Sequence, residues 1–204
     1  MSRILIPEGV KLIRGTEKRS LNAYQGGADP KGVLTIGDGH VIKKGEEHLL
    51  KGITNQQADE LFSRDCASHF EHIQSDVGAK VVLDDYVYAA FASLAYNNGA
   101  RTFLGAPSIV DPLRKGDLKA GVLAMWKFCK SGKPLLYRDG LFYRRLIEMY
   151  LALSHKLVQK PDECVAARTL MAKLSLYGNT GPMVAHFDRN HRKDLCITCS
   201  KRKK

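Results

Sequence analysis

The hydrophobic period of the chain changes near its N-terminus, and this change most constrains the fold. A first stretch carries apolar side chains three apart at Val10 and Ile13, behind a proline that suits a first helical turn. Residues 21–42 instead combine turn residues with two short apolar runs around Gly-Asp-Gly. There Gly37 and Gly39 supply the positive φ that a tight turn needs. A short helix followed by a small β-hairpin is therefore predicted.

Helical patterns cover most of the chain after this hairpin. Thr54 and Gln57 have the spacing of a capping box, and apolar positions behind them predict one long helix. Asp84 or Asp85 opens another helix, which Gly99 is placed to end. Further helices are predicted over residues 108–114, 117–128, 138–153 and 163–177. The fold class is therefore α+β and mainly helical, with one small sheet.

Composition excludes several classes of protein. A hydrophobic content of 44% and a charged content of 26% argue against a disordered chain and against a membrane protein. The first residues lack the apolar core of a signal peptide, so synthesis in the cytoplasm without a signal peptide is expected. Five cysteines, an odd number without disulfide-framework spacing, predict free thiols in a reducing compartment.

The positive charge is concentrated at the C-terminus. The net charge is +11, and the stretch from Val184 onward holds seven Lys/Arg against two Asp, which gives 7 − 2 = +5 and leaves +6 for the rest. A basic protein is attracted to polyanions, which include nucleic acid, anionic membranes and the bacterial cell wall. Charge alone does not choose among these partners.

A set of motifs in a fixed order carries a family resemblance. Glu17 is followed by Leu at +4, Ala-Tyr at +6 and +7, and then Asp-x-x-Gly-x-x-Thr-Ile-Gly-x-Gly-His. This order resembles the phage-type lysozymes, the endolysin muramidases of glycoside hydrolase family 24. The segments FASLAYNNGARTF (91–103) and MWKFCKSGKPLLYRDGLFYRRLIE (125–148) resemble later motifs of that family. The resemblance covers about residues 3–153 and implies a two-lobed lysozyme-like fold with the active site in the cleft.

The resemblance also implies a division of the chain. We expect a lysozyme-like catalytic domain over residues 1–157 and a C-terminal extension over residues 158–204, helical first and then basic. Within the catalytic domain we expect a β-hairpin lobe, a long linking helix and a larger helical lobe. Their expected ranges are about 15–50, about 54–76 and about 80–157.

Three residues match the catalytic positions of the family. Cleavage of a glycosidic bond needs one carboxylic acid to protonate the leaving oxygen and, in inverting enzymes, a second carboxylate to activate a water. By motif, Glu17 corresponds to the general acid, Asp29 to the carboxylate that orients the water, and Thr35 to the hydroxyl that helps to hold it. The family match implies an inverting hydrolase. Glu8 competes as the acid, but it also suits the first turn of a helix, where the helix dipole favours a glutamate.

The sequence departs from the family pattern in three places. Four residues, 25–28, stand between Tyr24 and Asp29 where most members have one, an apparent three-residue insertion that leaves Asp38 as the alternative partner carboxylate. Lys18 stands where the family usually has a glycine after the acid, which could change how the helix ends. Asp38 itself occupies a position that is often aromatic or apolar, so the surface that contacts the sugar is expected to differ.

Other residues have both a structural and a functional interpretation. Tyr96 and Asn97 match positions that contact the sugar chain, and they equally suit a core tyrosine and a helix-capping amide. His40 corresponds to a structural histidine of the family, and Trp126 fits the core better than a sugar platform. Four groups near the C-terminus could bind zinc, although a flexible basic tail is the default expectation. They are His186, His191, Cys196 and Cys199.

The functional prediction is an endolysin without a cofactor or a metal. It would hydrolyse the β-1,4 bond between N-acetylmuramic acid and N-acetylglucosamine in peptidoglycan, for host cell lysis. We expect a monomer that reaches the periplasm after membrane permeabilisation by a holin. Its basic tail would contact anionic cell-wall polymers or lipopolysaccharide, with no specific nucleic-acid partner. The alternatives are a catalytically weak or inactive lysozyme-fold module that binds anionic wall or nucleic acid, and a lytic transglycosylase.

Overall fold

A computed structural model describes residues 3–25, 32–99, 101–132, 134–158 and 164–191. The helices are α1 (Pro7–Thr16), α2 (Asn55–Phe70), α3 (Ile73–Val77), α4 (Asp85–Asn98), α5 (Pro107–Arg114), α6 (Leu118–Leu123), α7 (Asp139–Ser154), α8 (Cys164–Leu174) and α9 (Gly181–Asn190). The strands are β1 (Ser20–Tyr24), β2 (Thr35–Gly37), β3 (His40–Val41), β4 (Lys130–Ser131) and β5 (Leu136–Tyr137). Short 3₁₀ helices cover Glu47–Lys51, Thr102–Gly105 and Ala124–Lys127. The predicted α+β, mainly helical class is confirmed.

The N-terminal helix and hairpin follow the predicted pattern. Helix α1 begins with Pro7 and buries Leu12 and Ile13 against the core. Strands β1, β2 and β3 form an antiparallel sheet in that order. The turn between β2 and β3 depends on glycine, because Gly37 and Gly39 have φ values of 65° and 103°. Under this sheet lies a small apolar cluster, formed by Ile36, Leu49, Ile53, Ala58 and Leu61.

The prediction of one linking helix over about 54–76 is wrong. Its start is correct, since Thr54 and Gln57 form a complete capping box at the head of α2. The helix is interrupted after Phe70, however, and α3 begins at Ile73. Both of these apolar side chains are buried. The break therefore falls between two residues that pack into the core, with no glycine or proline to mark it in the sequence.

Helices α4 and α7 pack against each other at the centre of the main core. Asp84 caps α4 by accepting hydrogen bonds from the backbone N–H groups of Tyr86 and Val87, each at 2.8 Å. Gly99, with φ 104°, ends it as predicted. Helix α7 ends at His155, which adopts the left-handed conformation at φ 57°. The helix predicted over 117–128 is shorter than expected, because α6 tightens into 3₁₀ geometry after six residues.

The C-terminal extension is folded further than the sequence indicated. Helix α8 packs against α7, and α9 adds the buried side chains of Met183 and Phe187 to the main core. The Phe187 ring stacks on Phe142 of α7, with centroids 5.1 Å apart. The default expectation of a flexible basic tail from Val184 onward is therefore wrong as far as Asn190, because α9 extends to that residue and buries Phe187. Residues 192–204 lie outside the described part of the chain.

Within the described ranges, no helix is long and apolar enough to cross a membrane.

Cys66 and Cys129 are free thiols, as predicted. Burial raises the pKa of these thiols to about 12 and about 11 respectively. Trp126 is half-buried and packs against the main core, which agrees with its predicted place there.

Candidate functional site

Glu17 lies at the point where α1 ends and the chain turns toward the sheet. Its backbone has left the helical conformation, with φ −96° and ψ 139°, while its N–H still donates to the carbonyl of Ile13. Its side chain is 24% exposed. The predicted acid is thus on a fixed backbone, with its carboxylate in contact with both protein and solvent.

The turn between β2 and β3 lies directly beside this carboxylate. A Cβ atom added to Gly39 would lie 3.5 Å from Oε2 of Glu17 and 3.7 Å from the ring of Tyr96. These spacings are ordinary van der Waals contacts, so it is the positive φ of Gly39, rather than a lack of space, that favours a glycine at this position. Thr35 lies at the start of β2, the strand that leads into this turn, and is buried. The fold therefore brings the turn that follows Thr35 against Glu17.

A buried charged network on α7 holds Glu17 from the other side. Arg144 forms an ion pair with Glu17 and also donates to Oε1 of Glu148 at 3.1 Å. Arg145 pairs with the same Glu148 carboxylate at 2.7 and 2.8 Å, and Ser93 of α4 donates to it at 2.6 Å. Desolvation lowers the pKa of the fully buried Arg145 to about 10. Buried guanidinium groups need such paired carboxylates.

Tyr96 and Asn97 at the end of α4 take largely structural positions. The Tyr96 hydroxyl donates to the backbone carbonyl of Asp38 at 2.9 Å, which ties α4 to the glycine turn. Arg145 donates to the Asn97 side-chain oxygen at 3.2 Å. Because arginine is a donor only, the amide oxygen must face it and the amide nitrogen must point the other way. The hydrogen bond of Tyr96 favours the structural interpretation of this residue. The Asn97 amide is oriented by the buried guanidinium group of Arg145 and is not used as a helix cap.

Asp38, the alternative partner carboxylate, is buried inside the protein. Its side chain is 2% exposed and accepts two hydrogen bonds from Arg19, at 3.0 and 2.6 Å. Arg14 lies 3.5 Å away on the same side. The hydrogen bond to Asp38 raises the pKa of the Arg19 side chain above its ordinary value. The position that is often apolar in the family therefore carries an internal ion pair, and this side chain does not contribute to a sugar-contacting surface.

His40 lies between two carboxylates, in agreement with its predicted supporting role. Its Nδ1 is 2.9 Å from Asp65 of α2, and its Nε2 is 2.9 Å from Glu46. The hydrogen bond to Asp65 raises the pKa of His40, while a backbone N–H from Lys43 lowers the pKa of Glu46 to about 2. Both carboxylates favour a protonated imidazole. His40 therefore connects the sheet to α2 through charge.

Two of the four candidate zinc ligands, His186 and His191, are described by the structure, and both contact other residues. His186 lies 3.5 Å from the thiol of Cys129, and Nδ1 of His191 lies 2.9 Å from Asp139. Cys196 and Cys199 fall outside the described ranges. Among the residues that the structure describes, no group of three or more His, Cys, Asp or Glu side chains could hold a metal ion.

The structure thus places Glu17, Thr35, Tyr96 and Asn97 on elements that meet around one turn. Asp29 lies in residues 26–31, outside the described part of the chain. The sequence interpretation did not assign the network of Arg144, Arg145 and Glu148 to the site. Its signal was present in the Arg-Arg pair with a glutamate four residues after the first arginine, inside an otherwise apolar helix.

A small sheet and a larger helical core that meet beside a partly exposed carboxylate form a lysozyme-like arrangement, the one that the sequence resemblance implies. The family model of phage lysozymes matches residues 14–148, and the chain belongs to that family. It is therefore a lysozyme-type peptidoglycan hydrolase, a muramidase. No curated protein sequence matches the chain.

Solved structures agree on the fold. An endolysin from Escherichia coli O157:H7 phage FAHEc1 is 23% identical, with a TM-score of 0.63, and the match covers 78% of this chain and 98% of that one. The muramidase domain of SpmX from Asticaccaulis excentricus is 24% identical, with a TM-score of 0.61 and coverages of 74% and 98%. A mutant of P22 lysozyme is 26% identical, with a TM-score of 0.55 and coverages of 74% and 99%.

Proposed function

We propose that the chain hydrolyses the β-1,4 bond between N-acetylmuramic acid and N-acetylglucosamine by an inverting mechanism. Glu17 acts as the general acid, Asp29 as the carboxylate that activates the water, and Thr35 as the hydroxyl that helps to position it. The observation that carries this proposal is the partly exposed Glu17 carboxylate, held by the buried Arg144 and packed beside Gly39. Tyr96, which contacts the same turn, and Asn97, which follows it in α4, contribute to the substrate-binding surface in addition to their structural contacts.

The mechanism uses two carboxyl groups in different settings. Glu17 donates a proton to the leaving oxygen as the glycosidic bond breaks, while Asp29 removes a proton from the water that attacks the opposite face of the sugar. This geometry leaves room for the water, so the two carboxyl groups are expected about 6.5–9.5 Å apart. Arg144 donates to Oε1 of Glu17 and fixes the carboxyl group in one orientation, so in the acid form the proton to be transferred is carried by Oε2.

The assignment of the acid is tested by Glu17→Gln in a turbidity assay on permeabilised Gram-negative cells. Loss of a general acid is expected to lower the rate by about 10²–10⁴-fold. Glu8→Gln is the matched control, because it makes the same change in the first turn of α1, at the opposite end of the helix from Glu17. That control is expected to lyse cells at nearly the parent rate. A parent-like rate for Glu17→Gln would remove Glu17 from the mechanism.

The partner carboxylate and the reaction type need separate measurements. Asp29→Asn should abolish lysis in a folded protein, whereas Asp38→Asn should mainly lower the melting temperature, because Asp38 pairs with Arg19 inside the protein. Mass spectrometry of the released muropeptides is expected to find reducing ends, and anhydro ends would indicate a lytic transglycosylase instead. An α-configured first product, seen by NMR, would support inversion.

For the cellular role, we propose host cell lysis by a monomer that reaches the periplasmic wall through a holin pore. The net charge of +11 supports attraction to anionic wall polymers or lipopolysaccharide, with the basic residues after position 191 as the main contact. The proposed catalytic unit is residues 1–157, and the proposed extension is residues 158–204. Lysis in cells that express the chain with and without a holin tests the access route.

A further inference from the structure

A groove runs along α5 and α6 and ends at the loop between α8 and α9. It consists of two adjoining cavities, of about 590 and about 470 Å³. The cavities share part of their lining, namely Ser108, Asp117, Ala120 and Lys127. Neither of them is lined by Glu17, Thr35, Tyr96 or Asn97. The groove is therefore separate from these proposed site residues, and each of its cavities has the size of a small-ligand site.

Two aromatic side chains line the end of the groove, and they come from different parts of the chain. Trp126 belongs to the region that matches the phage lysozyme family, and Tyr177 follows α8, beyond that match. The Trp126 ring contacts His186 of α9, with centroids 4.9 Å apart. A Cβ on Gly178 would lie 2.7 Å from Leu123, so the extension lies directly against α6 here. This end of the groove exists only because the extension is folded onto the catalytic region.

Polar side chains in the lining of the groove can form hydrogen bonds with a ligand. Lys119 and Lys127 are exposed cations, and Ser108 provides a hydroxyl. The side-chain oxygen of Asn179 accepts from the backbone N–H of Gly181 at 2.9 Å, which leaves the amide nitrogen as a donor. Aromatic faces beside a few placed hydrogen-bonding groups suit a sugar ring, which has apolar C–H faces and a polar edge.

The charges of the groove distinguish a glycan from a nucleic acid. Asp111 and Asp117 line it together with the lysines, and Asp117 caps α6 by accepting from the Ala120 N–H at 2.9 Å. Two carboxylates among three lysines, Lys115, Lys119 and Lys127, leave the lining with a net charge of only +1, and the carboxylates would repel a backbone that carries a phosphate at every residue. A neutral sugar chain with occasional acidic peptide side groups avoids that repulsion and still offers carboxylates to Lys119 and Lys127.

We propose that this groove is an accessory binding site for the peptidoglycan glycan strand, a chain of N-acetylated amino sugars with acidic peptide stems. The inference rests on the proposed function, because it assigns a second contact to the same polymeric substrate. Linking two weak sites on one polymer makes the second contact intramolecular, so the apparent affinity rises without a stronger contact at either site. The groove holds the enzyme on the wall, while the active-site cleft performs the cleavage.

Binding is measured by co-sedimentation of the full chain with purified Gram-negative sacculi, in a Glu17→Gln background that prevents digestion. Tyr177→Ala and Lys127→Ala are each expected to weaken binding by about five- to tenfold, as loss of the second of two linked contacts predicts. The matched controls are Leu176→Ala, an 83% exposed neighbour, and Lys156→Ala, an exposed lysine away from the groove. Both controls should bind like the parent. Melting temperatures confirm that every variant is folded.

Activity provides a second readout with the catalytic Glu17 restored. Tyr177→Ala should lower the ratio of the rate on sacculi to the rate on a short soluble muropeptide oligomer by about fivefold, since only the polymer can occupy both sites. Parent-like binding by Tyr177→Ala, or an equal loss in Leu176→Ala, overturns the proposal. So does competition of sacculus binding by oligo-dT, which would identify a nucleic-acid site. Tyr177-dependent binding by a parent chain that cleaves nothing would refute the proposed function and leave the groove assignment standing.

Discussion

Glu148→Gln tests whether the buried network behind Glu17 holds the fold together. Glu148 is 0% exposed, and its carboxylate and that of Glu17 balance the two buried guanidinium groups of Arg144 and Arg145. With Glu17 ionised the network sums to zero charge, and the substitution leaves one uncompensated positive charge on the buried guanidinium groups of Arg144 and Arg145. Removing one partner of a buried pair costs about 3–5 kcal/mol. For a chain of this size each kcal/mol lowers the melting temperature by about 2–4 °C, which gives a predicted drop of about 6–20 °C.

The assay is thermal unfolding followed by circular dichroism at neutral pH. Glu71→Gln is the matched control, because the Glu71 side chain is 59% exposed and forms an ion pair with the neighbouring His72 at 2.8 Å. An exposed pair contributes about 0–1 kcal/mol, so the control should melt within about 4 °C of the parent. If Glu148→Gln melted as close to the parent as Glu71→Gln does, the network would be dispensable and the reasoning from buried charge would be refuted.

Two further predictions concern stability. The pKa of His40 is raised, mainly by its hydrogen bond to Asp65, so its stabilising charge is present below the ordinary histidine pKa and is lost as pH rises through the folded-state value. The melting-temperature gap between the parent and His40→Gln should therefore be larger at about pH 6 than at about pH 9, and a gap independent of pH would contradict it. Gly121→Ala should lower the free energy of unfolding by about 1–3 kcal/mol in urea titrations, because the new Cβ would lie 2.6 Å from an α5 leucine and 2.9 Å from a backbone carbonyl. The control Gly15→Ala, with nothing within 4 Å, should stabilise by about 0.5–1 kcal/mol, and equal signs for the two variants would refute the packing argument.

The sequence correctly predicted the features that depend on interactions between residues close together in the chain. The capping box at Thr54, the cap at Asp84 and the glycines of the β2–β3 turn each act within a few residues, so the pattern predicts them directly. The family motifs likewise located Glu17 at a helix exit beside that turn. The break after Phe70 has no local sequence signal, because it results from the tertiary packing of Phe70 and Ile73 on its two sides.

The charged network of the site could not be predicted in the same way. Charged side chains in a helix are normally assigned to its exposed face. Helix α7 is surrounded by other helices, and so Arg144, Arg145 and Glu148 are buried together with its apolar stripe. Their partners Glu17 and Ser93 are far away in sequence, and only the fold brings them within hydrogen-bonding distance. Asp38 is also buried with a partner that only the fold brings close, because Arg19 forms its hydrogen bond to Asp38 across the hairpin.

The packing of α9 has a consequence for the biosynthesis of the enzyme. Phe187 fills a place beside Phe142 in the main core, yet it is translated 45 residues later. Proteins are made from the N-terminus at about 5–20 residues per second, so the nascent chain passes through a period of a few seconds in which the core is open on this side. During that period the apolar surface of α7 is available to chaperones and to neighbouring chains. Helix α9 thus closes this side of the core late in co-translational folding.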